Sequence, residues 1–373
     1  MENQTGVRLI YDGDYASRPI VERTTLEYHT NAPTVEIVKD GASEDEYNWR
    51  YNFELVLGPD VERIYCVQNE CLTEVVGVSG RIKRIDNYAF QYCQHLKQFT
   101  WPDGLLLVPN SCFQGCTSLE RVDNLPTSGL VIKDYAFNGT ALTRINAILS
   151  TSVSIGEYAF AGCKITEANL PAWMTEVPAG LFEGCERLSS ITLPPSVVKV
   201  NHGAFSNCNL TSADFLAGVQ LLDINSLSGF ASDILQLPSG IREIYGDIYA
   251  KNTLQYLSKI ILPGDFTRLD VCLWEVREAE VLAPADDIDR LGANERLETL
   301  ILPATVRRIG SLNCPGLYNF YVHAITPPTI DGDEFTPART DYNIKIHIPA
   351  GTRSLYEAAP VWSAFKGKFV EDL

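Results

Sequence analysis

Short apolar runs of one form recur along most of this chain. Leu188-Ser-Ser-Ile191-Thr-Leu193-Pro194, Leu257-Ser-Lys-Ile260-Ile-Leu262-Pro263 and Leu297-Glu-Thr-Leu300-Ile-Leu302-Pro303 show the pattern. The alternation Ile-x-Leu has period two, the signature of a strand buried on one face. The proline ends each strand because it has no N–H to donate to a ladder. A second apolar pair follows each proline, as in Val197-Val-Lys-Val200, Ile241-Arg-Glu-Ile244 and Val306-Arg-Arg-Ile309.

Between the strands runs a second pattern. Ile85-Asp-Asn-Tyr-Ala-Phe90-Gln-Tyr-Cys93 is followed by matching segments centred on Phe113, Phe137, Phe160, Phe182 and Phe205. Successive Phe positions lie 23, 24, 23, 22 and 23 residues apart. An aliphatic residue stands five before each Phe. Cysteine stands three after it at Cys93, Cys116, Cys163, Cys185 and Cys208, and Thr140 takes that place once. The segment is too short for a stable helix and reads as one tight turn. A unit of this size cannot bury its apolar edge alone, whereas stacked units can, each contacting its neighbours. Stacking at strand spacing, ~4.7–4.9 Å, places Phe, Leu/Ile and Cys in three separate columns.

These motifs resemble the BspA-like subfamily of leucine-rich repeats, found chiefly in surface and secreted proteins of host-associated anaerobic bacteria. The resemblance covers about two thirds of the chain. It implies the α/β leucine-rich-repeat class in a strand-rich form: a single right-handed solenoid of about ten coils of 22–24 residues over 76–325. Repeats after residue 225 are degenerate, with Ser226-Leu-Ser-Gly-Phe230 and Ile248 to Leu254 keeping the frame only loosely. Thr326-Pro-Pro-Thr, Ile346-His-Ile348-Pro349 and Trp362-Ser-Ala-Phe365 resemble the family's terminal unit.

Solenoid ends expose apolar residues and strand edges, so both need covering. Residues 1–75 are expected as a β-rich N-terminal cap, with strands at Thr25–Thr30 and Phe53–Leu57 and a polar connection at Lys39–Asn48. Residues 326–373 are expected as the C-terminal cap, closed by Trp362 and Phe365 on a short helix. Equivalent cysteines on stacked coils have parallel Cβ vectors, so they read as buried free thiols and not as bridges or zinc ligands.

Charge narrows the partners. The 373 residues carry 47 Asp and Glu against 30 Lys and Arg, a net charge of −17. That balance argues against nucleic acid and against an anionic membrane surface. No apolar run approaches the ~20 residues of a membrane span, so no transmembrane segment is expected. A signal segment is not evident at Met1-Glu-Asn-Gln4.

No catalytic, cofactor or metal constellation stands out. Cys93 with His95 is a nominal nucleophile–base pair, but Cys93 belongs to the repeated column. The acidic runs Asp286–Asp289 and Asp331–Glu334 lack the calcium-loop spacing and read as solvated turns. Trp101 takes a core strand position, and Trp173 follows Pro171 on a turn. Outward strand positions are Thr100, Asp123, Asn146, Asn169, Thr192, Asp214 and Gln236, then Ile261, Glu280, Ile301 and Tyr321. The last four form a stripe richer in apolar residues, the candidate partner contact. The expected function is a non-catalytic binding or adhesion module of the bacterial surface, with a protein or glycan partner or a homodimer. A glycan-acting enzyme with carboxylates from non-adjacent coils, and a structural envelope protein, are the rivals.

Overall fold

The structure is a computed structural model that describes residues 6–8, 25–30, 34–36, 52–68, 70, 72–78, 80–248, 257–274, 276–293, 296–341 and 343–373. The polar connection at Lys39–Asn48 and residues 249–256 of the degenerate repeat lie outside them. The chain forms two compact units, residues 1–171 with 181–188 and residues 172–180 with 189–373. Each is built from short parallel strands, one rung per turn.

In the first unit, Gly6–Arg8, Thr34–Glu36, Arg63–Cys66 and Arg84–Ile85 pair in parallel. Thr25–Thr30, Asn52–Leu57 and Leu72–Val76 make a second parallel sheet. The two strands expected in the N-terminal segment therefore form, and as rungs of a repeat ladder. They lack the Phe–Cys turn that makes a repeat visible in sequence. This is why the described residues hold about 14 turns and not the ten expected.

The Phe–Cys segment forms the tight turn its length demands. Two left-handed positions flank each Phe. Two residues before it stand Tyr88, Ser111, Tyr135 and Tyr158, at φ 63, 52, 57 and 55°. Two residues after it stand Tyr92, Gly115, Gly139, Gly162 and Gly184, at φ 61–74°. Glycine suits the latter because a side chain there meets the turn before: a Cβ on Gly162 would lie 3.4 Å from the Gly139 Cα. The Phe rings stack as a column, Phe90–Phe113 at 5.4 Å, Phe113–Phe137 at 5.6 Å and Phe137–Phe160 at 5.5 Å between centroids, all within 10° of parallel.

The cysteine column is buried and unbridged at all five positions. Each resolved thiol spans one turn: Cys116 Sγ donates to the Phe90 carbonyl at 3.0 Å, Cys163 to Phe137 at 3.2 Å and Cys185 to Phe160 at 3.1 Å. Cysteine is thus a small core residue that supplies a donor to a buried carbonyl. Thr140 keeps a hydroxyl in the same place, 3.2 Å from Cys163 Sγ.

Two predicted rungs are not strands. Asn146 opens the helix Asn146–Thr151, and Asp214 opens the 3-10 turn Asp214–Leu216. Asn146 uses its carboxamide oxygen to accept from the Asn169 N–H at 2.9 Å, replacing part of a ladder.

The second unit carries two parallel sheets. The Ile-x-Leu runs supply a seven-stranded sheet in the order Ile234–Gln236, Leu257–Leu262, Val276–Val281, Thr299–Leu302, Asn319–Val322, Lys345–Ile348 and Phe369–Glu371. The apolar pairs after the prolines supply an eight-stranded sheet, from Glu176–Val177 to Thr329–Ile330. Leu235, Ile260, Ala279, Leu300, Phe320, Ile346 and Phe369 align in register and point inward, all buried. The C-terminal segment closes on Trp362, whose indole donates to the Pro328 carbonyl at 2.7 Å and stacks on Phe320 at 5.8 Å. Trp362–Phe365 is a 3-10 turn, preceded by the helix Arg353–Ala358.

Candidate partner-binding face

Residues flanking each inward side chain point outward, because strand side chains alternate. In the seven-stranded sheet this makes a register column of Gln236, Ile261, Glu280, Ile301, Tyr321, His347 and Val370. All four residues expected from sequence, Ile261, Glu280, Ile301 and Tyr321, stand on consecutive rungs of it. Each is half-buried. Beside it runs a second outward column of Ile234, Lys259, Glu278, Thr299, Asn319 and Lys345.

The two columns are tied together. Lys259 Nζ reaches Glu278 at 2.7 Å and Glu280 at 2.6 Å. Its ammonium is held above the ordinary lysine range, first by the Glu278 hydrogen bond and then by Glu280. Glu280 is therefore a fixed, ion-paired rung between Ile261 and Ile301, sharing one ammonium with Glu278. The far end of the stripe is aromatic. Tyr321 stacks on His347 at 4.1 Å and 13°. His347 Nδ1 faces the Asp372 carboxylate at 2.9 Å, and its Nε2 is buried without a hydrogen-bond partner among the described residues.

His347, Lys259 and Glu278 escaped the sequence reading. The period-2 signal around Ile346 and Ile348 was visible, but 26 residues separate Tyr321 from His347, more than any regular repeat. That insertion hides the register. Lys259 and Glu278 are ordinary charged residues until the rungs are stacked.

The other candidates resolve into structure. Cys93 is buried and donates to the Val67 carbonyl, while His95 Nδ1 contacts the Glu70 carbonyl at 2.6 Å, so the pair does not meet. Asp287 and Asp331 both grip Arg308, at 2.7 and 2.8 Å, and Glu334 accepts from Ser311 at 2.6 Å. The turn expected at Asp286–Asp289 is instead mostly strand, since Asp287–Ala293 is a rung, whereas Asp331–Glu334 is a loop. Trp101 is fully buried, and Trp173 is exposed. Among the described residues no cluster of metal-ligating side chains occurs, and no helix is long and apolar enough to cross a membrane.

A profile of the BspA type leucine-rich-repeat region matches residues 64–178 and 153–275, with six copies, more than half of the sequence. The chain belongs to this BspA-type family. Its repeats agree with the stacked turns described above. No curated protein matches this BspA-type chain. Among solved structures, a leucine-rich cell surface protein from Faecalibacterium prausnitzii is 20% identical, over 72% of this chain and 84% of that one, with a TM-score of 0.46. A leucine-rich repeat protein from Bacteroides ovatus is 17% identical, over 83% and 92%, with a TM-score of 0.45. The pneumococcal vaccine antigen PcpA is 13% identical, over 92% and 82%, also at 0.45.

Proposed function

We propose that this BspA-type protein is a non-catalytic binding module displayed at the bacterial surface, and that it engages a protein partner through the outward stripe of its second unit. The observation that carries this is the register column itself: Ile261, Glu280, Ile301 and Tyr321 half-exposed on consecutive rungs, with Glu280 ion-paired. Pairing Glu280 with Lys259 matters because an unpaired carboxylate is costly to desolvate in an interface. Aromatic and aliphatic anchors in such a stripe supply most of an interface's energy, about 2 kcal/mol or more for each hot spot. His347 and Val370 continue the register, but His347 is buried, so the accessible stripe runs from Ile261 to Tyr321, ~14 Å at strand spacing. The cell-surface relative from Faecalibacterium prausnitzii supports the location.

The test is a matrix-protein and glycan binding array with the intact chain and with a triple variant, Ile261→Ser, Ile301→Ser and Tyr321→Ser. Loss of a protein ligand in the variant, with its fold retained, supports the reading. A ligand bound equally by both forms refutes it, and a change confined to oligomeric state assigns the stripe to a homodimer.

A further inference from the structure

We propose that the partner of the stripe is a second copy of this chain. Two second units pair face to face about a two-fold axis parallel to their strands, set between the rungs of Ile301 and Tyr321. The inference rests on the binding role proposed for the stripe and names its occupant.

Charge is unevenly placed along this face. Glu278 and Glu280 stand on one rung and share the single ammonium of Lys259, which leaves one carboxylate in excess there. Three rungs on, Lys345 is exposed, has no carboxylate partner among the described residues and lies 5.4 Å over the Tyr318 ring. Thr299 and Asn319 occupy the two rungs between, half-buried, with side chains that make no hydrogen bond among the described residues. The second outward column thus runs carboxylate, hydroxyl, carboxamide, ammonium. Read backwards, that order is its own complement.

A two-fold axis along the strand direction reverses the order of the rungs and keeps each column opposite itself. Between Ile301 and Tyr321 it sets Glu278 opposite Lys345 of the other copy, Thr299 opposite Asn319, Ile301 opposite Tyr321 and Ile261 opposite Val370. His347 is buried, so Lys345 is what its rung presents. Other placements fail on charge. Half a rung towards Ile261, the axis puts Lys259 against Lys345 and Glu280 against Tyr321. Half a rung the other way, it leaves Lys345 against Thr299. An axis along the solenoid sets Glu278 against Glu280. Charge complementarity therefore selects one alignment of the two copies.

The contact is small. From Ile261 to Val370 it spans ~24 Å, and the two columns stand ~7 Å apart. The buried area lies at the low end for specific interfaces, so the dimer exchanges, with a Kd on the order of 10–100 μM. The paired units run in opposite directions, as copies on two facing cell surfaces do. Many such contacts between two surfaces add, so a weak pair suffices for adhesion between like cells.

The experiment is sedimentation equilibrium of the full chain over a concentration series. The unaltered chain is expected to dimerise reversibly, and more weakly as salt is raised. Glu278→Lys and Lys345→Glu are each expected to weaken the dimer at least about tenfold, with Tm little changed, because Lys259 keeps Glu280 and Lys345 has no ion pair to lose. Mixed one to one, the two variants are expected to pair with each other, since every reversed charge then meets an unreversed one. The triple variant Ile261→Ser, Ile301→Ser and Tyr321→Ser is expected to be monomeric. A chain that stays monomeric, a dimer that either charge variant leaves intact, or a mixture that does not recover overturns the proposal. If the chain is monomeric while the triple variant loses a ligand on the binding array, self-pairing is refuted and the stripe still serves another protein. A dimer that the triple variant keeps places the contact off the stripe and also overturns the proposal.

Discussion

Replacing Phe137 by alanine tests the stacked turns where they are most regular. The ring is fully buried and lies between Phe113 at 5.6 Å and Phe160 at 5.5 Å, within 10° and 6° of parallel. Truncating a core Phe costs about 3–5 kcal/mol, counting lost transfer energy and the cavity left behind. Two aromatic stacks go with it, each about 0.5–1.5 kcal/mol beyond area burial, which places the loss near the top of that range. Relaxation is restricted, because the backbone is pinned on both sides by the Phe113 N–H to Ala136 carbonyl and the Phe137 N–H to Ala159 carbonyl bonds. In a stacked array the damage is local. Denaturant unfolding should give the energy, and hydrogen exchange should locate it. The amides of Phe113, Phe137 and Gly139 should lose protection most, and those around Ile64 and Ile85 least. A cost under about 1 kcal/mol, or an even loss of protection from Ile64 to Phe160, would refute the reasoning, since either means the ring column is not what joins adjacent turns.

Further expectations follow from the same contacts. Native thiol titration should leave Cys93, Cys116, Cys163, Cys185 and Cys208 unreactive until denaturant is added, and a bridge between any two contradicts the column. Burial raises the Cys163 thiol from 9.0 to about 11, although the Thr140 hydroxyl pulls the other way. The thiol ionises more easily in the unfolded chain, so its contribution is intact below pH 9 and is lost as pH rises towards 11, at about 1.4 kcal/mol per pH unit; Cys163→Ala should flatten that alkaline fall. Asp86 is buried, which opposes its ionisation, yet hydrogen bonds from Arg63 and Arg84 hold it below the usual carboxylate range. Its stabilisation is present above pH 3.8 and lost as the solution becomes more acid, and Asp86→Asn should cost about 1.5–3 kcal/mol at neutral pH, read by urea unfolding. Ile301→Ser, at a half-buried outward position, should cost about 1 kcal/mol or less in stability while weakening the partner, and a cost near that of a core residue would remove it from the binding face.

The parts of this fold that repeat side chains were readable, and the parts that repeat only backbone were not. Phe90 to Phe205 and Cys93 to Cys208 announced their columns because each column needs one residue type. The strands Thr34–Glu36 and Asn52–Leu57 also pair in parallel, with a register shift in each ladder, and parallel pairing demands no particular side chain, so the repeat did not show in their sequence. Asn146 and Asp214 sat in strand positions by spacing, and local hydrogen bonding made them helical. The stripe Ile261, Glu280, Ile301, Tyr321 was legible because strand alternation survives where the Phe–Cys turn is lost. His347 was not, because a 26-residue interval broke the count.

Spin labels read that stacking directly. Cys66, Cys71 and Cys272 are first replaced by Ser, leaving the buried thiols silent, and nitroxides are attached at Cys introduced for Ile301 and Tyr321, or for Gln236 and Tyr321. Ile301 and Tyr321 are in-register neighbours, while Gln236 lies four rungs from Tyr321. At strand spacing these are ~5 and ~19 Å. The first pair should show strong dipolar broadening of the continuous-wave spectrum and the second almost none. A sharp, unbroadened spectrum from Ile301 and Tyr321 would contradict the register, and with it the outward stripe on which the proposed binding role rests.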